Sequence, residues 1–250
     1  MISKAIDQLK QLKLSELAIN FTPCYLCSWP LQIKFYNNEM GVRCAKCGAS
    51  AVSQMLGKEF KRSRVTNHPV VYELSSRGAF VRFLQRQGCK LTLSEYFDGI
   101  PSGELHGEIL CQNVEKLSFP DQSFDICTSL EVFEHVENDL AGFREIHRVL
   151  KVNGVFIFTA PINLEANTVE RTEIIAGKRI NTMPPEFHSD SLNGVDGVFC
   201  YRNYGLDIVS RLKRSGFNTA QIITPEPNVL FGFGRSVILA TKASSVTTDS

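Results

Sequence analysis

Four cysteines near the start of the chain, Cys24-x2-Cys27 and Cys44-x2-Cys47, form two Cys-x-x-Cys knuckles with sixteen residues between them. A reverse turn can bring both thiolates of one knuckle to a single metal ion, and two facing turns complete a tetrahedral shell. Zn²⁺ favours this all-sulfur shell, and the spacing is that of a structural zinc ribbon. Pro23 before the first knuckle and Gly48 after the second supply a fixed and a permissive φ where tight turns need them. Two disulfides, or a redox pair, are the competing readings of the same residues. A closed four-sulfur shell leaves no open coordination position. Such a metal holds a module together, and the chemistry lies elsewhere.

The rest of the chain is long enough to build it. At 250 residues it can bury one good core plus a small appendage. A hydrophobic share of 43% with 21% charged residues is that of a water-soluble domain. No apolar run approaches the roughly 20 residues that span a bilayer. Residues 1–20 alternate charged and aliphatic side chains at helical spacing, which predicts an N-terminal helix rather than an export signal. With Cys89, Cys111, Cys127 and Cys200 scattered as small core hydrophobes, a reducing cytoplasm is the expected compartment.

Charge is unevenly spread although the net value is only +1. Residues 1–90 carry 14 Lys and Arg against 5 acids, and the remainder carries 13 against 21. A basic front half suits an anionic partner such as RNA or a nucleotide-linked substrate. Lys58, Lys61, Arg62 and Arg64 fall in the stretch 58–69, which reads equally well as a solvated basic linker behind a ribbon at 21–57.

From residue 70 strands and helices alternate. Val70–Glu73, Leu91–Ser94, Ile109–Cys111, Phe124–Leu130 and Val155–Ala160 read as strands, and Asp139–Leu150 as an amphipathic helix. A helix over Tyr204–Arg214 and strands near Phe217–Ile223 and Ser236–Thr241 follow. This alternation predicts an α/β fold around a mostly parallel sheet. Residues 162–203 fit no repeat of the unit and read as an insertion at the carboxyl edge, able to act as a lid. Residues 244–250 read as a disordered tail. The domain at 70–243 is expected to carry its own core, so that losing a ribbon cysteine would loosen only the first sixty or so residues.

Ligands of such sheets bind beyond the carboxyl ends of the strands. Glu73 and Glu95 end the first two strands and so point at that crevice. An acid after the second strand can accept hydrogen bonds from two ribose hydroxyls, and Tyr96 beside it can stack on a purine. No intact G-x-G-x-x-G follows the first strand, so a nucleoside without phosphates fits better than a nucleotide.

Two further stretches carry a resemblance. Gln112-Asn-Val-Glu-Lys-Leu-Ser-Phe-Pro-Asp-Gln-Ser-Phe-Asp, running on to Glu134-His135-Val136, and Glu145-Ile-His-Arg-Val-Leu-Lys-Val-Asn-Gly resemble blocks of the class I S-adenosylmethionine-dependent methyltransferases of the type 11 kind. The likeness covers residues 70 to about 241. It implies a Rossmann-like sheet, mostly parallel with the last strand antiparallel and with helices on both faces. It also implies S-adenosyl-L-methionine as cofactor. Carried over position by position, Glu73 approaches the methionine amino group, Ser75 and Gly78 belong to the cofactor loop, Glu95 holds the ribose, and Asn113 with Val114 meets the adenine. The family's E-x-G-x-G-x-G loop is here Glu73-Leu-Ser-Ser-Arg-Gly-Ala, with Ser75, Arg77 and Ala79 in place of glycines. Arg77 must turn away or reach the cofactor carboxylate. Pro184-Pro-Glu-Phe-His-Ser-Asp190 is similar to a segment of members that act on saccharides.

Methyl transfer from a sulfonium is an in-line displacement that needs alignment and exclusion of water. A hydroxyl acceptor also needs a base, and histidine suits that task near neutral pH. His135, after the fourth strand, and His188, in the insertion, are the candidates, with Glu134, Glu186 and Asp190 able to orient them. Three functions compete. One is O-methylation of a small molecule such as a sugar or glycan precursor. Another is methylation of an rRNA base, with the basic ribbon docking RNA. The third is a non-catalytic interaction protein whose altered loop no longer takes cofactor.

Overall fold

In the computed structural model, residues 15–63, 66–188 and 197–243 are described. The N-terminal helix therefore lies largely outside them, as do Arg64, Asp190 and the tail at 244–250. Within the described part, Ala18–Asn20 is a strand rather than the end of a helix, pairing antiparallel with Gln32–Lys34, which pairs in turn with Val42–Cys44. The ribbon thus begins before residue 21. No helix of the described residues is long and apolar enough to cross a membrane.

The main sheet has six strands in the order Thr219–Ile223, Val237–Thr241, Leu150–Thr159, Phe124–Leu130, Val70–Glu73, Lys90–Leu93. The last four are parallel to one another, and Val237–Thr241 runs antiparallel to both its neighbours. The strand expected at Ile109–Cys111 joins the sheet only through a single parallel bridge from Cys111 to Glu95. Ile109–Leu110 forms a hairpin with Leu105–His106 instead.

Each central strand is apolar on both sides because helices cover both faces. Tyr72, Cys127, Phe156, Phe158 and Ile238 face one core with Phe143, Ile146, Ile208 and Leu212 from the helices Asp139–Val149 and Ile208–Arg214. Their alternates Val71, Ile126, Ile157 and Val237 face the other core.

That second core overturns two expectations. The stretch from 58 is not a linker at its start, because one helix runs Ala51–Arg62 across the expected boundary. Ser50 caps it, its Oγ accepting from Ser53 N at 3.1 Å. Its apolar side, Met55, Leu56 and Phe60, is buried against the sheet and against Phe80 and Phe83. The knuckles join the same cluster through Cys24, Leu26 and Cys44. Gly57 permits this: a Cβ there would stand 2.0 Å from the Leu26 side chain. The front module and the sheet share one core, so the sheet does not have that face to itself.

Candidate functional site

The four ribbon thiols converge. Their sulfurs all lie within 4.8 Å of one another, with Cys24 to Cys47 at 3.7 Å and Cys27 to Cys44 at 3.5 Å. A tetrahedron with Zn–S bonds of about 2.3 Å has edges of about 3.8 Å, so the spacing suits that ion. Turn geometry sets it: Ser28 N donates to Cys24 O, Gly48 N donates to Cys44 O, and Gly48 takes a φ of +72°. Burial pushes the Cys24 thiol up and the Cys47 thiol up to about 11.

A second site opens beyond the carboxyl ends of the parallel strands, as a crevice of about 540 Å³. Of the residues expected at a cofactor, Ser75, Glu95, Tyr96, Asn113 and Val114 line it, and His135 and His188 line it as well. Glu73 and Gly78 are not in its wall.

The reasons differ. Glu73 is buried beneath the crevice, and Thr128 Oγ1 donates to its Oε2. Burial pushes its carboxyl up to about 8, against the lowering effect of hydrogen bonds from Thr128 and Ser75. Gly78 shapes the loop instead of touching the cavity: its φ of +112° lies where an L side chain would be strained. The loop it closes turns Ser76 onto Glu95, whose Oε1 accepts from Ser76 N at 2.7 Å and from Ser76 Oγ at 2.9 Å. The acid after the second strand is thereby fixed at the rim. Asn113 turns its Oδ1 onto Glu115 N at 2.9 Å, which leaves the second lone pair of that oxygen for a ligand. Tyr96 is 54% exposed, a ring on the surface of the crevice with one face open.

At the other end the insertion forms a wall. Val198, Phe199, Tyr201 and His188 come from it. Arg202 locks that wall to the sheet: its guanidinium donates to the carbonyls of Phe133, Val136 and Glu137 and pairs with Glu170 at 3.1 Å. Tyr204 and Arg211 converge on Asp139 from the same side, at 2.9 and 2.8 Å. None of these positioning residues was singled out from the sequence. Their signal was weak, since one buried arginine in an insertion looks like any solvated one until its carbonyl partners are seen.

The histidines meet. Their rings stand 4.9 Å apart, edge to face. His135 Nδ1 lies 2.9 Å from Phe199 O, and a carbonyl can only accept, so Nδ1 carries the proton and Nε2 the lone pair. His188 Nε2 lies 3.2 Å from Glu186 Oε1, and Oε2 of the same carboxylate pairs with Arg171 at 2.9 Å. Glu134 is beside both rings but fully buried, and burial pushes its carboxyl well above the usual range. Cys200, expected only as a core hydrophobe, is buried and within 3.7 Å of both His188 ring nitrogens.

Compared with known proteins, residues 47–158 match the family described as a methyltransferase domain. The match begins at the second knuckle and takes in the helix Ala51–Arg62, in keeping with the shared core. The match covers less than half of the chain and supports a methyltransferase activity for it. Among solved structures, it is similar to an S-adenosylmethionine-dependent methyltransferase from Mesorhizobium loti, with 18% identity, 74% of this chain and 97% of that one covered, and a TM-score of 0.47. It is also similar to the YcgJ protein from Bacillus subtilis, with 14% identity, 76% and 99% covered, and a TM-score of 0.49. A comparison with curated proteins found no match.

Proposed function

We propose that this enzyme transfers the methyl group of S-adenosylmethionine to a hydroxyl of a small molecule, of the sugar or glycan-precursor class, bound between the adenosine end of the crevice and the insertion. The observation that carries the reading is that Glu95, Tyr96, Asn113 and Val114 line the same cavity as His135 and His188. The first set suits a nucleoside: an acid for two ribose hydroxyls, an aromatic face for the purine, and an amide oxygen for an exocyclic amine. The second set suits an acceptor hydroxyl that must lose its proton. His188, Val198, Phe199 and Tyr201 of the insertion wall that end and help exclude water.

The chain's own groups divide the work. Ser76 holds Glu95 in place before any ligand arrives. Glu186 and Phe199 O fix the two imidazoles. The four ribbon cysteines hold Zn²⁺, which anchors the helix Ala51–Arg62 and takes no part in the chemistry.

The RNA reading is less well supported, because cations of the ribbon are already used within the fold. Lys61 Nζ donates to Tyr25 O at 2.6 Å, and Lys46 and Lys58 lie over the Trp29 and Tyr25 rings.

Titration calorimetry with S-adenosylmethionine and S-adenosylhomocysteine tests the cofactor. Glu95→Ala is expected to weaken binding of either by about 1.5–3 kcal/mol, the cost of lost charge-assisted hydrogen bonds. Glu95→Gln should lose less, since its oxygen still accepts. Wild-type affinity in both variants would remove the ribose assignment, and no binding at all to the wild type would remove the enzyme's proposed donor.

Glu73 yields a separate result in the absence of ligand. Its folded-state pKa of about 8 is above the ordinary carboxyl value of 4.5. Between those values the unfolded chain has released the proton and the folded one still holds it. Stability therefore falls as pH rises through that window and levels off above it. Glu73→Gln should melt progressively higher than the wild type from pH 5 to pH 8, with a constant gap beyond. Parallel melting curves across the whole range would show that Glu73 is ionised in the fold.

A further inference from the structure

The meeting of His135, His188 and Cys200 has a second consequence. One donor atom from each lies within 4.8 Å of the others. Within the group, Cys200 Sγ to His188 Nδ1 is 3.7 Å, and Glu134 Oε1 lies alongside, 3.9 Å from His188 Nδ1 and 3.8 Å from His135 Nε2. Ligands around one tetrahedral zinc stand about 3.3–3.6 Å apart, so the Cys200–His188 pair is already near that spacing and His135 need move in by at most about 1.5 Å.

A second, independent observation points the same way. Both carboxylate oxygens of Glu134 are buried with no hydrogen-bond partner among the described residues. Burying such a group without a counter-charge costs several kcal/mol. The groups it faces are the two imidazoles, the carboxylate of Glu131 and, on the cationic side, Arg235 and Arg202. The outer partners are also those of a ligand set. A metal-binding imidazole almost always donates its other N–H to a carbonyl or a carboxylate. His135 does so to Phe199 O, and His188 Nε2 faces Glu186.

We propose that His135 Nε2, His188 Nδ1 and Cys200 Sγ bind one divalent transition-metal ion, Zn²⁺ by the softness of its nitrogen and sulfur donors, at the acceptor end of the crevice. Glu134 supplies the negative charge that, with the Cys200 thiolate, balances the ion. This site is unlike the ribbon: three protein ligands leave a fourth position, and two of the three line the cavity. An oxygen ligand from the crevice, a hydroxyl or carboxylate of the acceptor, completes the shell. The metal site stands on its own geometry, and its role toward the acceptor rests on the methyl-transfer reading.

The experiment uses the full chain and Zn²⁺ alone. After equilibration at micromolar free Zn²⁺ and removal of loose metal, the wild type should retain two zinc ions per chain, one in the ribbon and one here. Cys200→Ala and His188→Ala should retain one, with affinity for the second weakened at least about 100-fold. Both positions border the insertion wall rather than the sheet core, and thermal melting checks that each variant is folded. With Co²⁺ as a spectroscopic probe, the second equivalent should show the weaker charge-transfer band of a single thiolate. A wild type that retains only one zinc, or folded variants that keep the second, would overturn the proposal. S-adenosylmethionine calorimetry on the same preparations separates the two readings. Cofactor binding without a second zinc sinks only the metal, and a second zinc without cofactor binding sinks only the methyl transfer.

Discussion

Replacing His188 by Ala should lower methyl-transfer turnover by about 10²–10⁴-fold, the range for losing a group that handles the acceptor proton. The same range follows whether the ring takes that proton or holds the ion that acidifies it. Affinity for S-adenosylmethionine should change by less than about twofold, because His188 comes from the insertion while Glu95 and Asn113 follow strands at the sheet's edge. His135→Ala is the matched comparison. Its backbone N donates to Val132 O, and the carbonyls flanking it are gripped by Arg202, so its loss should also lower the melting temperature. Turnover and KM are measured with a panel of sugar hydroxyl acceptors. A His188 variant that keeps its rate would leave alignment alone as the source of catalysis.

The sheet was legible because its strands are apolar on both sides and stop at acids, a pattern that only a two-faced core explains. The placing of Glu95 and Tyr96 at the crevice was legible for a related reason. Glu95 and Tyr96 follow the second strand, and the parallel topology sends every such position to one edge. The histidine pair was half legible. His135 and His188 stood out as side chains able to move protons, yet nothing in the order of residues says that their rings meet 4.9 Å apart. Cys200 was passed over for the same reason: a lone buried cysteine looks like a small hydrophobe until the hairpin of Phe187–His188 with Val198–Phe199 sets it beside an imidazole. The depth of Glu73 was also hidden. Its place at a strand end predicts the crevice, but the side chain points down, to Thr128.

The boundary at 57/58 failed because a cluster of Lys and Arg looks like solvated linker. Helical phase mattered more than charge: Lys58, Lys61 and Arg62 lie on the outer side of a helix whose inner side is Met55, Leu56 and Phe60. Long cationic side chains cover such a helix, as Lys61 does with its ammonium over Phe83.

That correction reverses the expected effect of breaking the ribbon. Cys44→Ser, or stripping the proposed ribbon zinc with a strong chelator, should destabilise the whole sheet domain by several kcal/mol. Structural zinc contributes its binding energy to folding, and here the fold it supports is continuous with the sheet. Freeing the helix Ala51–Arg62 would expose Met55, Leu56 and Phe60, each now at most 1% exposed, at about 1.5–3 kcal/mol apiece. It would also uncover Val71, Ile126 and Ile157 beneath them. A domain with a total stability of about 5–15 kcal/mol does not absorb that loss easily. The damage should reach the crevice too. Arg235 bridges Glu39 of the ribbon to Glu131 in the cavity wall, and the Glu131 contact is 2.9 Å. Hydrogen exchange is the direct test. In the wild type, protection in Val70–Glu73, Phe124–Leu130 and Leu150–Thr159 should be lost together with that of the ribbon helix in one unfolding event, and in Cys44→Ser all four should exchange faster by a common factor. If the three strands keep wild-type protection while the helix alone opens, the ribbon is an independent module after all, and the shared core contributes little.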